Sequence, residues 1–186
     1  LSYTASGLPS SGNLAMSTAG VLSGTPTNAD VGAHTVIVTA TDDGTGTLSV
    51  TDTYVLTVTN TNDAPTVSSA IADASNAEDA AYSLDISSVF ADVDVGDTLS
   101  YSISGAPSTI THTSGTISGT PVNADVGAHT IVVTATDGTA SVTDTYDLTV
   151  TNPNDDPTVA SAISDVSAAE DAAYSLDASG TCTDVD

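Results

Sequence analysis

Hydrophobic residues alternate with polar residues in short segments along most of the chain. Four alternating sets in the middle of the sequence are Tyr82, Leu84 and Ile86; Leu99, Tyr101 and Ile103; Ile131, Val133 and Ala135; and Tyr146, Leu148 and Val150. The residues between these positions are mainly Ser, Thr and Asp. A period of two is typical of β-strands with one buried face, and clusters of Gly, Pro, Asn and Asp separate the segments. The pattern predicts an all-β fold, an antiparallel β-sandwich of about seven strands.

The pattern recurs because the sequence repeats itself. The matching segments are LSYTASG from Leu1 with LSYSISG from Leu99, SGTPTNADVGAHTVIVTATD from Ser23 with SGTPVNADVGAHTIVVTATD from Ser118, TNTNDAPTV at 59–67 with TNPNDDPTV at 151–159, and AEDAAYSLD at 77–85 with the same letters at 169–177. Their offsets are 98, 95, 92 and 92 residues. A period of this size indicates tandem modules.

The repeat divides the chain into three modules. Residues 65–156 form a complete module, residues 1–64 an N-terminally truncated one, and residues 157–186 the start of a third. The first module lacks the counterparts of Pro65 to Thr98, and the third module carries most of them. We therefore expect the third module to complete the first module of a neighbouring copy. The copies belong either to one longer covalent array or to separate chains that join end to end into a fibre by strand donation.

The charge of the chain is strongly one-sided. It contains 24 Asp and Glu residues and no Lys or Arg, which gives a formal net charge of −24. Such a chain repels itself unless counter-ions or bound cations are present. Nucleic acids and anionic membrane surfaces are recognised through Lys and Arg, so we expect neither as a partner. No apolar run approaches the roughly 18 residues of a spanning helix, so we expect no membrane insertion in this segment.

Sulfur and imidazole groups are few. Cys182 is the only cysteine, which excludes an intrachain disulfide. It occupies the module position of Phe90, so we expect a small buried residue there, and on a surface it would be able to link two chains. His34 and His129 share one module position and are expected to be neutral structural residues at strand starts. Zinc, which prefers His and Cys ligands, is therefore not expected.

Four motifs in a fixed order connect the chain with a known family. They are ADVDVGDTLSYSISG at 91–105, GTISGTP at 115–121, NADVGAHTIVVTATD at 123–137, and the Asn-Asp-x-Pro linkers that end at Pro65 and Pro157. With these motifs the chain resembles the dystroglycan-type cadherin-like and Ig-like (He_PIG-type) tandem repeats of large bacterial surface adhesins. The resemblance implies tandem Ig-like or cadherin-like β-sandwiches in a secreted, extracellular or cell-surface protein.

The resemblance to cadherins also implies calcium at the junctions between modules. Cadherins bind it with a Glu near the start of a domain, an acidic motif in its middle, an Asn-Asp linker and an Asp-x-Asp of the next domain. At the junction before the middle module, the matching residues are Asp30, Asn62, Asp63, Asp92, Asp94 and Asp137. At the junction after it, they are Glu78, Asp125, Asn154, Asp155, Asp184 and Asp186, and Glu170 is the third-module counterpart of Glu78. The mid-domain motif here is Asn-Ala-Asp, where cadherins carry Asp-Arg-Glu.

Oxygen chemistry supports calcium independently of the resemblance. Calcium takes about six to eight oxygen ligands in flexible geometry, whereas magnesium requires a stricter octahedron. The alternative for Asp92 and Asp94, and for the Glu-Asp pairs that begin at Glu78 and Glu170, is a turn with solvated charges. The Asn-Asp linkers can likewise terminate strands by local hydrogen bonding without a metal.

Motifs for catalysis are missing from the sequence. It contains no Gly-x-Ser-x-Gly elbow, phosphate loop or nucleophile paired with a base, so we predict that the segment is not an enzyme. The predicted function is structural: a calcium-rigidified spacer, stalk or fibre segment of an adhesin-like protein that contacts its ligand through other regions. The alternative is a glycan- or protein-binding adhesive module. Aromatic platforms for glycans have few candidates, because the chain has no Trp, one Phe and six Tyr.

Overall fold

The computed structural model describes residues 1–185, and in this range the protein is all-β, as predicted. Its strands are β1 (Ser2–Ser6), β2 (Ala15–Met16), β3 (Leu22–Ser23), β4 (Gly32–Thr41), β5 (Ser49–Val58), β6 (Thr66–Val67), β7 (Ala74–Ala77), β8 (Tyr82–Asp85), β9 (Phe90–Ala91), β10 (Ser100–Ser104), β11 (Ile110–Thr113), β12 (Thr116–Gly119), β13 (Gly127–Thr136), β14 (Ser141–Thr151), β15 (Thr158–Val159) and β16 (Cys182–Thr183). Two 3₁₀ turns, Asn28–Asp30 and Asn123–Asp125, precede β4 and β13. Within the described residues, no helix is long and apolar enough to cross a membrane.

Hydrogen bonding arranges these strands in small sheets that repeat with the sequence. The strand orders are β1-β4-β5, β10-β13-β14-β7, β11-β12-β8, β2-β3, β6-β9 and β15-β16. The strands β1, β4 and β5 correspond to β10, β13 and β14 one repeat later. In the first set β4 pairs antiparallel with both neighbours. The second set has one strand more, because β7 adds to the outer edge of β14 in parallel.

β14 shows how the alternating pattern builds the core of the middle module. Tyr146, Leu148 and Val150 are buried, and the residues between them are exposed. β13 buries Ile131 and Val133 on the facing positions of its own pattern. Removing one large apolar side chain from water contributes about 1.5–3 kcal/mol, so this alternation accounts for the choice of buried face. The predicted strand periodicity is confirmed here.

The segment after β8 differs from the sequence prediction in its end point. The alternation includes Ile86, but β8 ends at Asp85. The Asp85 carboxylate accepts a hydrogen bond from the Ser87 N–H at 2.8 Å, which forms a turn and lowers the pKa of Asp85. Ile86 is nevertheless fully buried. Phe90 fills the core as expected, with its ring centroid 5.9 Å from that of Tyr101.

Cys182 lies on the surface, which corrects the expectation of a small buried residue. It belongs to β16, whose neighbour in the sheet is the two-residue strand β15. Almost all side chains of residues 160–185 are exposed. Within the described range no further sheet covers β15 and β16, so the position that buries Phe90 in the middle module remains open to solvent at Cys182.

Two glycines hold the same tight contact in successive repeats. Gly7 and Gly105 have positive φ angles of 75° and 80°. A Cβ atom on Gly7 would lie 2.1 Å from the carbonyl oxygen of Thr35, and one on Gly105 would lie 2.2 Å from that of Thr130. Only glycine tolerates both the backbone angle and this approach, so the repeat retains it at the end of β1 and β10.

Contacts between Cα atoms divide the chain into two compact units. The first comprises Leu1–Thr66, Ala91–Ser100 and Ala135–Val142, and the second comprises Val67–Phe90, Tyr101–Thr134 and Thr143–Asp186. The linker at Asn62 and Asp63, the segment from Asp92 to Asp97, and Asp137 therefore all belong to the first unit.

Candidate metal centre

An acidic turn follows β9. We use this name for residues Asp92–Asp97, in which the carboxylate oxygens of Asp92, Asp94 and Asp97 lie within 4.8 Å of one another. The turn forms locally, because the Asp94 N–H donates to Asp92 Oδ1 at 3.0 Å and the Asp97 N–H to the Asp94 carbonyl at 3.4 Å. Gly96 supplies the positive φ angle of 98° that the turn requires. The result is three carboxylates gathered in one place.

Asp94 is the most deeply buried member of the acidic turn. Its side chain is 5% exposed, and its Oδ2 atom accepts a hydrogen bond from the Asp63 N–H at 2.7 Å. Neither Asp94 Oδ1 nor Asp92 Oδ2 has a hydrogen-bond partner among the described residues, although both atoms are buried. Buried polar atoms are nearly always satisfied, and buried charges are normally paired. These two oxygens therefore fit a ligand that supplies positive charge.

The linker residues Asn62 and Asp63 adjoin the acidic turn. The Asn62 side-chain amide donates to Asp137 Oδ2 at 3.0 Å, and the Asn28 amide donates to Asp63 Oδ2 at 2.7 Å. Asp137 also accepts the N–H groups of Ala140 and Thr139, at 2.7 and 2.6 Å. These bonds, that from Ala140 first, lower the pKa of Asp137 and keep it ionised.

Asp97 is under the opposite influence. Desolvation raises its pKa above the ordinary value of 3.8, and the charges of Asp94, Asp92 and Asp137 raise it further. Three like charges therefore act on one carboxylate, which is the electrostatic signature of a group of acids gathered without a cation. The acidic turn holds its carboxylates together against their mutual repulsion.

Asp30 and Asp125 serve the two 3₁₀ turns. Asp30 is buried, and its carboxylate accepts hydrogen bonds from the N–H groups of Thr27 (2.9 Å) and Ser11 (3.0 Å). Asp125 accepts the Thr109 hydroxyl at 2.7 Å and the Val122 N–H at 3.0 Å. The Thr27 bond is the main cause of the lowered pKa of Asp30, and the Thr109 bond that of Asp125. The structure groups neither residue with the acidic turn, and their assignment as metal ligands stays a prediction.

The histidines predicted to be structural sit beside these caps. Nε2 of His34 donates to the Asp30 carbonyl, and Nε2 of His129 donates to the Asp125 carbonyl, both at 2.6 Å. Each histidine thereby fastens the start of its strand to the preceding 3₁₀ turn, in the same way in both repeats.

A second acidic group lies at the end of β7. It consists of Glu78, Asp79 and Asp155, whose carboxylate oxygens are within 4.8 Å of one another. Glu78 is 2% exposed, and its N–H donates to the Thr151 carbonyl at 3.0 Å. The Asp79 N–H donates to the Pro121 carbonyl at 2.8 Å. Both backbone bonds continue the parallel pairing of β7 with β14 and so carry the two acids towards Asp155.

The other predicted ligands lie outside this second group. The Asn154 amide donates to the Asp155 carbonyl at 2.8 Å, beside the group. Glu170 and Asp184 are exposed, and the Asn123 amide donates to the carbonyl of Val185, next to Asp184. Asp186 lies outside the described residues.

Sequence reasoning missed two members of these groups. Asp97 follows the Asp92-x-Asp94 motif after a glycine, and Asp79 stands directly after Glu78. The positive φ of Gly96 folds Asp97 back towards Asp94, and a positive φ of 55° at Asp79 turns its side chain towards Asp155. Gly at 96 and the adjoining acids were the available signals.

The fold and the acidic turn define an Ig-like, cadherin-like β-sandwich protein. The chain belongs to the family described as "Putative Ig domain", which matches residues 1–59 and 64–151. No curated protein matches the chain.

Solved structures of cadherins share the fold. Mouse cadherin-23 EC22-24 is 19% identical with a TM-score of 0.57, and the match covers 82% of this chain and 53% of that one. Drosophila N-cadherin EC1-4 is 20% identical with a TM-score of 0.53, covering 81% and 41%. An endo-fucoidan hydrolase, MfFcnA4 from glycoside hydrolase family 107, is 25% identical with a TM-score of 0.44, covering 81% and 23%. The chain thus spans about a quarter of the hydrolase and about half or less of the cadherin structures.

Proposed function

We propose that this segment is a non-enzymatic spacer of an extracellular, adhesin-like protein and that calcium rigidifies it. The observation that carries the proposal is the Asp94 carboxylate, which is buried and has one oxygen that no donor among the described residues reaches. An unpaired buried charge costs several kcal/mol, and the chain has no Lys or Arg to pair with it. A bound cation is the group that offsets this cost.

The donor set favours calcium over other cations. Asp92, Asp94 and Asp97 would hold the ion with carboxylate oxygens, and Asp63 and Asp137 stand beside them. All of these donors are hard oxygens on a turn and a linker, which suits the variable coordination of calcium better than the strict octahedron of magnesium. Bound calcium supplies the positive charge that the turn lacks.

The stiffening role follows from the contacts of the linker. The Asp63 N–H bonds to Asp94, and the Asn62 amide bonds to Asp137, so the linker is attached at two acidic positions. Mutual repulsion among these acids opposes both attachments. Neutralising the acidic turn strengthens them and reduces the number of conformations of residues 59–65.

Thermal unfolding in calcium and in chelator tests the proposal. Extracellular-module sites bind calcium at about 10⁻⁴–10⁻³ M, and a ligand at about 100 times its dissociation constant adds about 2.7 kcal/mol per site. Calcium should raise the melting temperature, and Asp94→Asn should remove most of that increase. Magnesium at the same concentration should act more weakly.

The matched control is Asp52→Asn, which removes one charge from an exposed position on β5. It should respond to calcium as the parent chain does, since general relief of the net charge affects both variants equally. Identical melting curves of the parent chain in calcium and in chelator would reject a calcium-dependent role.

A further inference from the structure

The first unit has an open groove along the outer edge of β5. Its volume is about 440 Å³, and its lining includes Pro26, Leu56, Val58, Thr59 and Asp63. β5 is the edge strand of its sheet, so within the described range no strand occupies its outer side. The edge therefore presents unpaired backbone groups beside an apolar wall.

The middle module shows which segment occupies the equivalent groove. There β7 lies in parallel along β14, with Ala74 opposite Leu148 and Ala77 opposite Thr151. The chain beyond β7 continues this docking. The Glu78 N–H bonds to the Thr151 carbonyl, and the next N–H bonds to the carbonyl of Pro121.

The groove in the first unit repeats the acceptors of that docking. Leu56 corresponds to Leu148, Thr59 to Thr151 and Asp63 to Asp155, each 92 residues earlier. Pro26 corresponds to Pro121, 95 residues earlier. The groove is therefore formed by the residues that hold β7 one repeat later.

A segment that matches β7 is exposed elsewhere in the same chain. Residues 165–177 read DVSAAEDAAYSLD, against DASNAEDAAYSLD at 73–85. Tyr174 is 53% and Leu176 48% exposed, whereas their counterpart Tyr82 is 8% exposed. On the receiving side, Tyr54 is 38% exposed and its counterpart Tyr146 is 1% exposed. An incomplete apolar face and its missing cover are thus both accessible.

We propose that the groove binds residues 166–171 of a second copy of this chain as a parallel strand. Val166 then lies opposite Leu56 and Ala169 opposite Thr59, in the register of β7 and β14. Tyr174 of the second copy covers Tyr54, as Tyr82 covers Tyr146. Because each chain carries one groove and one donor segment, the copies join head to tail.

The docking also completes an acidic group, and this part rests on the proposed calcium function. In the middle module Glu78 and Asp79 come within 4.8 Å of Asp155. The docked Glu170 and Asp171 of the second copy reach Asp63 in the same way. A calcium site formed only in the complex strengthens association about 100-fold when calcium is at about 100 times its dissociation constant.

Cysteine crosslinking between two different variants tests the register. Thr57→Cys and Ser167→Cys, each in a Cys182→Ser background, correspond to the paired residues Thr149 and Ser75. One variant carries a mass tag, and the two are mixed under mild oxidation. The expected product is a disulfide-linked heterodimer that exceeds both homodimers.

Three controls bound the result. Thr53→Cys in place of Thr57→Cys lies on the same strand out of register and should give little heterodimer. The Ser75→Cys/Thr149→Cys chain should crosslink within itself. A Thr57→Cys/Ser167→Cys chain should yield oligomers.

Heterodimer no more abundant than with Thr53→Cys would overturn the proposal, as would a double variant that forms only an internal disulfide. Sedimentation in calcium and in chelator addresses the calcium-linked part. Glu170→Gln/Asp171→Asn should remove the calcium effect on association and leave the calcium effect on melting, which depends on Asp94. Equal association in calcium and chelator would reject the shared acidic site alone.

Discussion

The Tyr82 hydroxyl donates a hydrogen bond to the Tyr146 hydroxyl at 3.2 Å inside the middle module. Tyr82 lies on β8 and Tyr146 on β14, which belong to different sheets, so the bond links the two layers of the sandwich. Burial, reinforced by this bond, raises the pKa of Tyr146 far above that of an ordinary tyrosine. The phenol therefore stays neutral at every pH at which the protein folds.

Removing either hydroxyl should destabilise the module more than removing both. Tyr146→Phe leaves the Tyr82 hydroxyl without its acceptor, which costs about 1–3 kcal/mol. The double variant Tyr82→Phe/Tyr146→Phe should cost less than the sum of the two single variants. Urea unfolding of the four proteins measures the coupling, and strictly additive values would mean that the two hydroxyls act independently.

Asp97→Asn should have opposite effects with and without calcium. The folded protein raises the pKa of Asp97, so this group favours folding when protonated, and its contribution is lost as pH rises through the folded-state pKa. At neutral pH in chelator, Asp97→Asn should therefore raise the melting temperature. In calcium it should lower it relative to the parent chain, because a ligand is lost.

The pH dependence supplies the check on this sign. The stabilising effect of Asp97→Asn in chelator should shrink as the pH falls towards the ordinary value of 3.8, where the parent carboxylate is protonated as well. An effect that stays constant down to this pH would point to a cause other than charge.

The Asp125 carboxylate offers a test that separates a capping role from a metal-binding role. Asp125→Ala removes the acceptor of the Thr109 hydroxyl and the Val122 N–H and should cost about 1 kcal/mol of stability. Thr109→Val removes one of these bonds and keeps the carboxylate. If Asp125 only caps the turn, calcorimetric calcium titration gives the parent affinity in both variants, and weakened binding in Asp125→Ala alone would assign it as a ligand.

Gly105 and Gly138 separate backbone strain from steric contact. Both have positive φ angles, 80° and 98°, but a Cβ atom meets the Thr130 carbonyl only at Gly105 and open space at Gly138. Gly138→Ala should cost about 1–2 kcal/mol for the left-handed backbone alone. Gly105→Ala should cost more, because β10 and β13 must also separate, and equal chemical-denaturation values for the two variants would contradict this contact.

Strands with one buried face were predictable because a single physical rule sets them. Tyr146, Leu148 and Val150 show the period of two in the letters themselves, and burial on one side of β14 follows from it. Ile86 escaped the rule because the Asp85 side chain ends the strand through a bond to Ser87 that the hydrophobic pattern does not record.

Long-range partners were not predictable from local patterns. Asp30 and Asp125 have acidic neighbours in sequence terms only, whereas their actual partners include Ser11 and Thr109, 19 and 16 residues away. Asp97 joins Asp92 and Asp94 through a backbone angle at glycine, which composition cannot reveal. The resemblance to cadherins named the neighbourhood of the acidic turn and not its full membership.

The parallel pairing of β7 with β14 has a mechanical consequence. β7 lies near the beginning of the middle module and β14 near its end, and both strands run in the same direction. Tension on the polypeptide pulls β7 towards its N-terminus and β14 towards its C-terminus, so the two strands are loaded in shear. Their hydrogen bonds must then rupture together, not one after another as when a hairpin is peeled open, and a tether built in this way resists stretching at its closing seam.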